Sequence, residues 1–192
     1  MAFQGHLSLI LGPMCSGKST ELLRRLFVES VCTHRILYVN HKYDVRTEEG
    51  SSYSTHNPLY QKKLKEQSHV TFLMTKRLQD VNIDNYDIIG IDEGQFFPDI
   101  RFAKDWADSG KTVIVAALNG DFQRNKFGNI SELLPFVNEL DLKKSICKNC
   151  AANGVRSEGI FSKRLVNESS QVLAGGSDMY MPVCRKCYLG IP

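Results

Sequence analysis

The chain has 192 residues, of which 42% are hydrophobic and 23% are charged. This composition excludes wholesale disorder, and a formal net charge of +3 is small for a protein that mainly coats nucleic acid. The longest apolar runs have the length of strands, which predicts no membrane partner. The first residues lack the regions of a secretion signal, so we expect a cytoplasmic protein whose six cysteines are thiols or metal ligands.

The first part of the chain alternates between strand and helix patterns. Residues 6–11 form an apolar run that predicts a buried strand, and a helix with its leucines on one face begins at Lys18. A second strand is predicted over residues 35–40. Residues 41–58 are rich in polar residues and glycine, which predicts a long loop of the kind that often covers a binding site.

The middle of the chain continues this alternation. Residues 59–85 predict a helix, a short strand over 70–74 and a second helix. Further buried strands are predicted at 87–91 and 112–118, with a helix near Phe102 between them. Strands that are apolar throughout and alternate with helices predict an α/β fold, in which a parallel sheet is covered on both faces.

A glycine-rich segment joins the first predicted strand to the first predicted helix. The pattern G-x-x-x-x-G-K-[ST] is matched by Gly12, Pro13, Met14, Cys15, Ser16, Gly17, Lys18 and Ser19. In such a P-loop, backbone N–H groups and the positive end of the following helix surround phosphate oxygens. We expect Lys18 to contact the β- and γ-phosphates of ATP and Ser19 to bind Mg²⁺. A plain glycine turn is the alternative.

The predicted strand at 87–91 ends in two acidic residues. A buried strand that ends in aspartate is the Walker-B pattern, so we expect Asp92 to help hold Mg²⁺. Glu93 would then lie beside the phosphates, where it could accept a proton from an attacking hydroxyl or water. A solvated acidic turn is the alternative.

Four of the cysteines form two C-x-x-C units, one of Cys147 and Cys150 and the other of Cys184 and Cys187. Two such units are typical of a closed structural zinc site. Free thiols and redox pairs are the alternatives, although a redox C-x-x-C usually occurs singly. We interpret the separate Cys32 as a core residue.

The composition changes near residue 144, after which cysteine, glycine, serine and basic residues dominate. We therefore predict a P-loop α/β nucleotide-binding domain over residues 1–143 and a zinc-binding lobe over residues 144–192. Such a lobe could instead bind nucleic acid through a basic face. That face would consist of Lys143, Lys144, Arg156, Lys163 and Arg164. The small net charge and the few interleaved aromatic residues argue against this alternative, so we predict no nucleic-acid partner.

Together these segments resemble the thymidine kinases of the cytosolic, zinc-containing class, which occurs in vertebrates, many bacteria and poxviruses. The resemblance extends over essentially the whole chain, and its most specific parts are residues 92–97 (D-E-G-Q-F-F) and 122–124 (F-Q-R). It implies phosphorylation of thymidine and deoxyuridine with ATP, in nucleotide salvage for DNA synthesis. It also implies inhibition by dTTP and a homotetramer. Two alternatives are a kinase for a different nucleoside on the same scaffold and a nucleic-acid-stimulated P-loop ATPase with a zinc lobe.

The resemblance implies a role for each matched residue. Glu93 corresponds to the base that takes the proton of the thymidine 5′-hydroxyl, and Asp92 and Gln95 belong to the surroundings of Mg²⁺ and phosphate. The residues that match the nucleoside pocket are Met14, Phe96, Leu118, Phe122, Phe127, Ser162, Gln171, Val172, Leu173, Ala174, Gly175 and Tyr180. Without the resemblance, core packing would be the simpler interpretation of the phenylalanines.

Four positions depart from the family pattern. Cys15 replaces Phe or Ala, Asn57 and Asn119 each replace Asp, and Asp121 replaces Thr. Asn57 lies in the predicted loop near the phosphates, so we expect it to affect the rate more than the type of reaction.

Overall fold

A computed structural model describes residues 5–32, 34–42, 58–173 and 179–191 of the chain. Its central sheet consists of β1 (His6–Gly12), β2 (Ile36–His41), β3 (Val70–Thr75), β4 (Ile88–Ile91), β5 (Thr112–Leu118) and β6 (Glu139–Leu142). All six strands are parallel, in the order β3-β2-β4-β5-β1-β6. This confirms the predicted α/β fold.

Helices cover both faces of the sheet. They are α1 (Lys18–Ser30), α2 (Pro58–Lys65) and α3 (Phe102–Asp108), with short 3₁₀ segments at Leu78–Asp80, Gly94–Phe96 and Ile130–Phe136. Because successive strand residues point to opposite faces, Ile10 packs with Leu26 of α1, whereas Leu9 belongs to the cluster that contains Trp106 of α3. Burial on both faces explains why β1, β4 and β5 are almost entirely apolar. The edge strand β6 is largely exposed and carries Glu139 and Asp141.

Two sequence predictions are wrong. The second helix expected within residues 59–85 is only the 3₁₀ turn Leu78–Asp80. Just after it, the side chain of Asn82 accepts a hydrogen bond from the backbone N–H of Asp84 at 2.8 Å, and such local bonds compete with helix formation. Cys32 is exposed, not part of the core, because α1 ends at Ser30.

The predicted loop at 41–58 is bounded by regular structure at both ends. His41 is the last residue of β2 and Pro58 is the first of α2. Of the residues between them, 43–57 lie outside the described part of the chain, and Asn57 is one of these.

Beyond β6 the architecture changes to small antiparallel units. Strands β7 (Ser145–Ile146) and β8 (Glu158–Gly159) form one pair, and β9 (Phe161–Arg164) and β10 (Tyr180–Val183) form another. Two five-residue helices, α4 (Lys148–Ala152) and α5 (Arg185–Leu189), bury none of their residues. None of the helices described is long and apolar enough to cross a membrane.

Candidate functional site

The glycine-rich loop lies at the carboxyl end of β1 and leads directly into α1. Gly17, at the N-terminus of α1, has a φ of 79°, a left-handed conformation that favours glycine. A side chain at Gly12 could not fit, because its Cβ would lie 2.6 Å from both the Lys143 carbonyl and the Ser16 hydroxyl. Lys18 Nζ donates to the carbonyl of Pro13 at 2.8 Å. The Cys15 carbonyl accepts from Ser145 Oγ at 2.9 Å, which ties this loop to the start of β7.

Asp92 follows β4 at the same edge of the sheet and is hydrogen-bonded to the helix after the loop. Its Oδ1 accepts from Ser19 Oγ at 3.0 Å, and its Oδ2 accepts from Tyr38 OH at 2.8 Å. Burial raises the pKa of Asp92 to about 7, and the neighbouring Glu93 carboxylate adds to the rise. A hydroxyl and a carboxylate side by side supply the oxygen ligands that Mg²⁺ prefers. The two residues predicted to hold magnesium are therefore adjacent.

Glu93 has a left-handed backbone with a φ of 53°. Such a conformation is uncommon outside glycine and persists only where surrounding contacts enforce it. Here the backbone N–H of Glu93 donates to Asp92 Oδ1 at 2.9 Å, and its carbonyl accepts from the backbone N–H of Phe96 at 3.0 Å. The side chain is held by Gln95, whose Nε2 donates to Glu93 Oε2 at 2.5 Å while its Oε1 accepts from the backbone N–H of Leu118 at 3.0 Å. Gln95 therefore fixes the Glu93 carboxylate relative to the carboxyl end of β5.

Two aromatic side chains meet at the 3₁₀ segment Gly94–Phe96, which follows Glu93. The rings of Phe96 and Phe127 are half-buried and meet edge to face, with centroids 5.7 Å apart. Nearby, the backbone N–H of Met14 donates to Ser162 Oγ at 2.9 Å, which joins the glycine-rich loop to β9. Half-buried aromatic rings beside fixed polar groups are typical of a small-molecule pocket.

Several predicted pocket residues lie in the C-terminal part of the chain. One of them, Gln171, is hydrogen-bonded to the segment that carries Phe122. Gln171 Nε2 donates to Asp121 Oδ2 at 2.8 Å and to the carbonyl of Lys126 at 3.0 Å. The phenol of Tyr180 donates to the carbonyl of Leu173 at 3.1 Å. Val172 is exposed, and the predicted pocket residues Ala174 and Gly175 lie outside the described residues.

Two departures from the family pattern take part in these contacts. Asp121 is buried, and its Oδ1 accepts from the backbone N–H groups of Gln123 and Asn125. Asn119 Nδ2 donates to the carbonyl of Ile160 at 3.5 Å. Both residues therefore stabilise loops around the site.

The four paired cysteines converge, with all four sulfur atoms within 4.8 Å of one another. Cys150 Sγ lies 3.8 Å from Cys184 Sγ and 3.6 Å from Cys187 Sγ. Zinc bound at about 2.3 Å to four tetrahedral sulfurs needs separations of about 3.8 Å, so the cluster fits this ion. Each unit begins a helix. The backbone N–H of Cys187 donates to Cys184 Sγ at 3.4 Å, a contact that favours a thiolate.

Sequence reasoning missed two residues of the site and misassigned one of them. Tyr38 was not singled out, although a tyrosine in a fully buried strand signals a hydroxyl that needs a partner. The sequence places Arg164 on a possible nucleic-acid-binding face, and the segment of residues 161–165 that contains it also matches the family, but Arg164 is buried and faces the Phe122 ring. Nothing in its neighbourhood along the chain indicates this position, because its partners come from loops folded over it.

Several known thymidine kinases are similar to this chain. The sequence profile of the thymidine kinase family matches residues 5–188. The thymidine kinase of rabbit fibroma virus is 41% identical over 189 residues, which cover 97% of each chain. The thymidine kinase of vaccinia virus strain Ankara is also 41% identical, over 97% of this chain and 98% of its own. The variola virus thymidine kinase is 41% identical over 96% of this chain and 97% of its own.

Proposed function

We propose that this chain, which belongs to the thymidine kinase family, transfers the γ-phosphoryl group of ATP to the 5′-hydroxyl of thymidine and of deoxyuridine. The proposal depends on one juxtaposition. At the carboxyl ends of β1, β4 and β5, Ser19 of the glycine-rich segment bonds Asp92, and Gln95 joins Glu93 to Leu118. The Phe96–Phe127 ring pair begins one residue after Gln95. In parallel α/β sheets this edge is where ligands bind.

Residues of the glycine-rich loop and α1 would bind the phosphate donor. Backbone N–H groups of residues 13–19 and the Lys18 ammonium are suited to the ATP phosphates. Ser19 and Asp92 would hold Mg²⁺, which neutralises charge on the phosphoryl oxygens when it is bound with ATP. The buried Tyr38–Asp92 hydrogen bond keeps the Asp92 carboxylate oriented toward Ser19.

Glu93 would act as the general base. Its carboxylate orients the 5′-hydroxyl and accepts its proton while the hydroxyl oxygen forms a bond to the γ-phosphorus. The bond from that phosphorus to the oxygen bridging to the β-phosphate breaks, and ADP leaves with the electron pair. Gln95 holds the carboxylate in position throughout, because it bonds Glu93 and the Leu118 backbone at the same time.

The nucleoside would lie between the aromatic residues and the C-terminal lobe. Stacking on Phe96, Phe122 and Phe127 does not distinguish bases, so selectivity requires backbone groups of residues 171–175 at the pyrimidine edge. An apolar slot formed by Met14 and Leu118 would favour the thymine methyl group by about 1–3 kcal/mol. Closure of the lobe excludes water, which is the competing acceptor.

Several wider properties belong to the same proposal. They are a role in nucleotide salvage in the cytoplasm, feedback inhibition by dTTP, assembly as a homotetramer, and division into an α/β domain over residues 1–143 and a zinc lobe over 144–192. The four cysteines would hold the zinc ion as a structural group.

A nucleic-acid-stimulated ATPase receives little support from the proposed basic face. Lys143 pairs with Asp141, Lys144 pairs with Glu158, and Arg164 is buried. Because such pairing reduces the positive potential that attracts phosphates, we do not expect DNA or RNA to stimulate the protein.

The test is transfer of the γ-phosphate of ATP, with Mg²⁺, to thymidine, deoxyuridine, deoxycytidine, deoxyadenosine and a water-only control. We expect transfer to thymidine and deoxyuridine alone. A preference for deoxycytidine or deoxyadenosine would identify a different nucleoside kinase. Hydrolysis without transfer would refute the assigned acceptor, and its stimulation by DNA or RNA would favour the ATPase.

A further inference from the structure

We propose that Arg164 is the positioning residue of the nucleoside pocket, where it holds the loop of residues 168–173 against Phe122 before any nucleoside binds. This inference deepens the proposed function, on which its kinetic part depends. Arg164 is the last residue of β9, and only 9% of its surface is exposed. Its side chain therefore reaches inward, between the β9–β10 pair and the segment that carries Phe122.

All five N–H donors of the guanidinium group are used. Nη1 donates to the carbonyls of Glu168 and Ser170 at 2.7 and 2.5 Å. Nη2 donates to the carbonyl of Gln171 at 3.2 Å and to the phenol oxygen of Tyr180 at 2.6 Å, and Nε donates to the same phenol at 3.2 Å. Three carbonyls within four residues thus converge on one side chain, which requires a specific loop conformation.

The flat face of the same guanidinium lies against an aromatic ring. Arg164 Cζ is 3.7 Å from the centroid of the Phe122 ring, close enough for a strong cation–π contact. Because one face of this ring is already covered, a nucleobase can meet only its other face or its edge. The backbone of Phe122 is held separately, since Tyr188 OH donates to its carbonyl at 2.8 Å.

A second link joins the same two segments. The exposed side chain of Gln171 bonds Asp121 and the carbonyl of Lys126, as described above. The loop of residues 168–173 is therefore attached at two points to the segment that carries Phe122 and Phe127. Ordering a loop before binding lowers the entropic cost of binding, so these contacts would act on nucleoside affinity rather than on the chemical step.

Arg164→Lys tests the proposal because it keeps the charge and loses the planar, five-donor group. We expect faster amide hydrogen exchange in residues 166–173 of the ligand-free protein. The KM for thymidine should rise about tenfold or more, given the usual value of hydrogen bonds to charged groups. The KM for ATP should stay within about twofold of the original protein. Arg156→Lys, at an exposed arginine of the same lobe outside the two cysteine units, is the matched control and should change none of these quantities.

Two further variants keep the proposal testable if Arg164→Lys folds poorly. Gln171→Ala removes the second link, the hydrogen bonds from Gln171 to Asp121 and Lys126. It should raise both the amide hydrogen exchange of residues 166–173 and the KM for thymidine, each by a smaller factor than Arg164→Lys does. Arg164→Ala should regain thymidine affinity when millimolar guanidinium is added, but not with sodium at equal ionic strength.

The proposal is overturned if Arg164→Lys leaves both loop exchange and the thymidine KM unchanged. It is also overturned if Arg164→Lys raises the KM values for both thymidine and ATP and lowers the melting temperature. Such a result would mean that Arg164 only stabilises the fold. If the original protein phosphorylates no nucleoside, the proposed function fails. The exchange measurement still decides separately whether Arg164 orders the loop.

Discussion

The parallel sheet and the small antiparallel units beyond β6, here called the C-terminal lobe, are stabilised in different ways. The sheet positions Asp92 and Glu93 through two hydrophobic clusters, one on each face, which contain residues such as Leu26 with no exposed surface. The lobe consists of strands of two to four residues and two helices that bury nothing. Its fixed points are a thiol cluster and the hydrogen bonds of a buried arginine.

This difference assigns different tasks to the two regions. A close-packed sheet resists deformation, so it is suited to hold catalytic groups at fixed distances. A lobe held by a few polar or metal contacts can open locally at low cost, as a substrate-covering element must. We therefore expect changes in the lobe to affect nucleoside binding, and changes at the sheet edge to affect the chemical step or the stability of the whole protein.

The largest expected effect comes from the cysteine cluster. Cys184→Ser should abolish stoichiometric zinc binding and unfold the lobe, because structural zinc sites contribute about 10–16 kcal/mol in small zinc domains. Elemental analysis measures the zinc content, and hydrogen exchange should show loss of protection in residues 145–191 with β1, β4 and β5 still protected. Cys32→Ser, at an exposed cysteine outside the cluster, is the control. Unchanged zinc content in Cys184→Ser would refute the four-cysteine site.

The next largest effect is expected at the proposed base. Glu93→Gln keeps the size of the side chain but removes its ability to accept a proton, and general bases usually contribute about 10²–10⁴-fold to the rate. Turnover with thymidine should fall by about that factor, while ATP binding and the melting temperature stay close to their original values. Rapid-mix kinetics would measure the chemical step directly. Near-normal turnover would exclude Glu93 as the base.

The two regions also differ in how far the sequence predicts them. The apolar runs of β1, β4 and β5 identify the strands, and because parallel strands end at one edge, they also bring Ser19 and Asp92 together. The C-x-x-C spacing likewise identifies the four cysteines that converge. The positions of Arg164 and Gln171 could not be predicted, because their partners lie in loops whose conformation depends on tertiary contacts and not on a periodic pattern.

A pair of leucine truncations compares the stability of the two regions. Leu26 of α1 has no exposed surface, whereas Leu189 of α5 is 50% exposed. Leu26→Ala should lower the free energy of unfolding by about 2–5 kcal/mol, and Leu189→Ala should change it by less than about 0.5 kcal/mol. Urea unfolding followed by the fluorescence of Trp106, which packs in the core of the sheet, measures the loss for Leu26→Ala. Amide hydrogen exchange of residues 185–189 measures the loss for Leu189→Ala. Equal losses would contradict the proposed contrast.

The smallest effect is expected where α1 meets the edge strand β6, just before the lobe begins. Hydrogen bonding to Arg24, and next to Arg25, lowers the pKa of Glu21 from 4.5 to about 2 against the opposing effect of burial. Arg25 in turn bonds Glu139 and Asp141 of β6. Because the partners are partly exposed, we expect Glu21→Gln to cost about 1 kcal/mol or less at neutral pH.

The sign of the pH dependence follows from the lowered pKa of Glu21. A carboxyl group with a lower pKa in the folded state stabilises the protein above its unfolded pKa and loses this contribution as the pH falls. The difference in stability between the original protein and Glu21→Gln should therefore be constant above about pH 4.5 and shrink toward pH 2. Glu66→Gln, at an exposed position after α2, should show no such difference. If this stability difference stayed the same between pH 5 and pH 2.5, the charge of Glu21 would not contribute to the contact between α1 and β6. Apolar packing would then be the main stabilising contribution there.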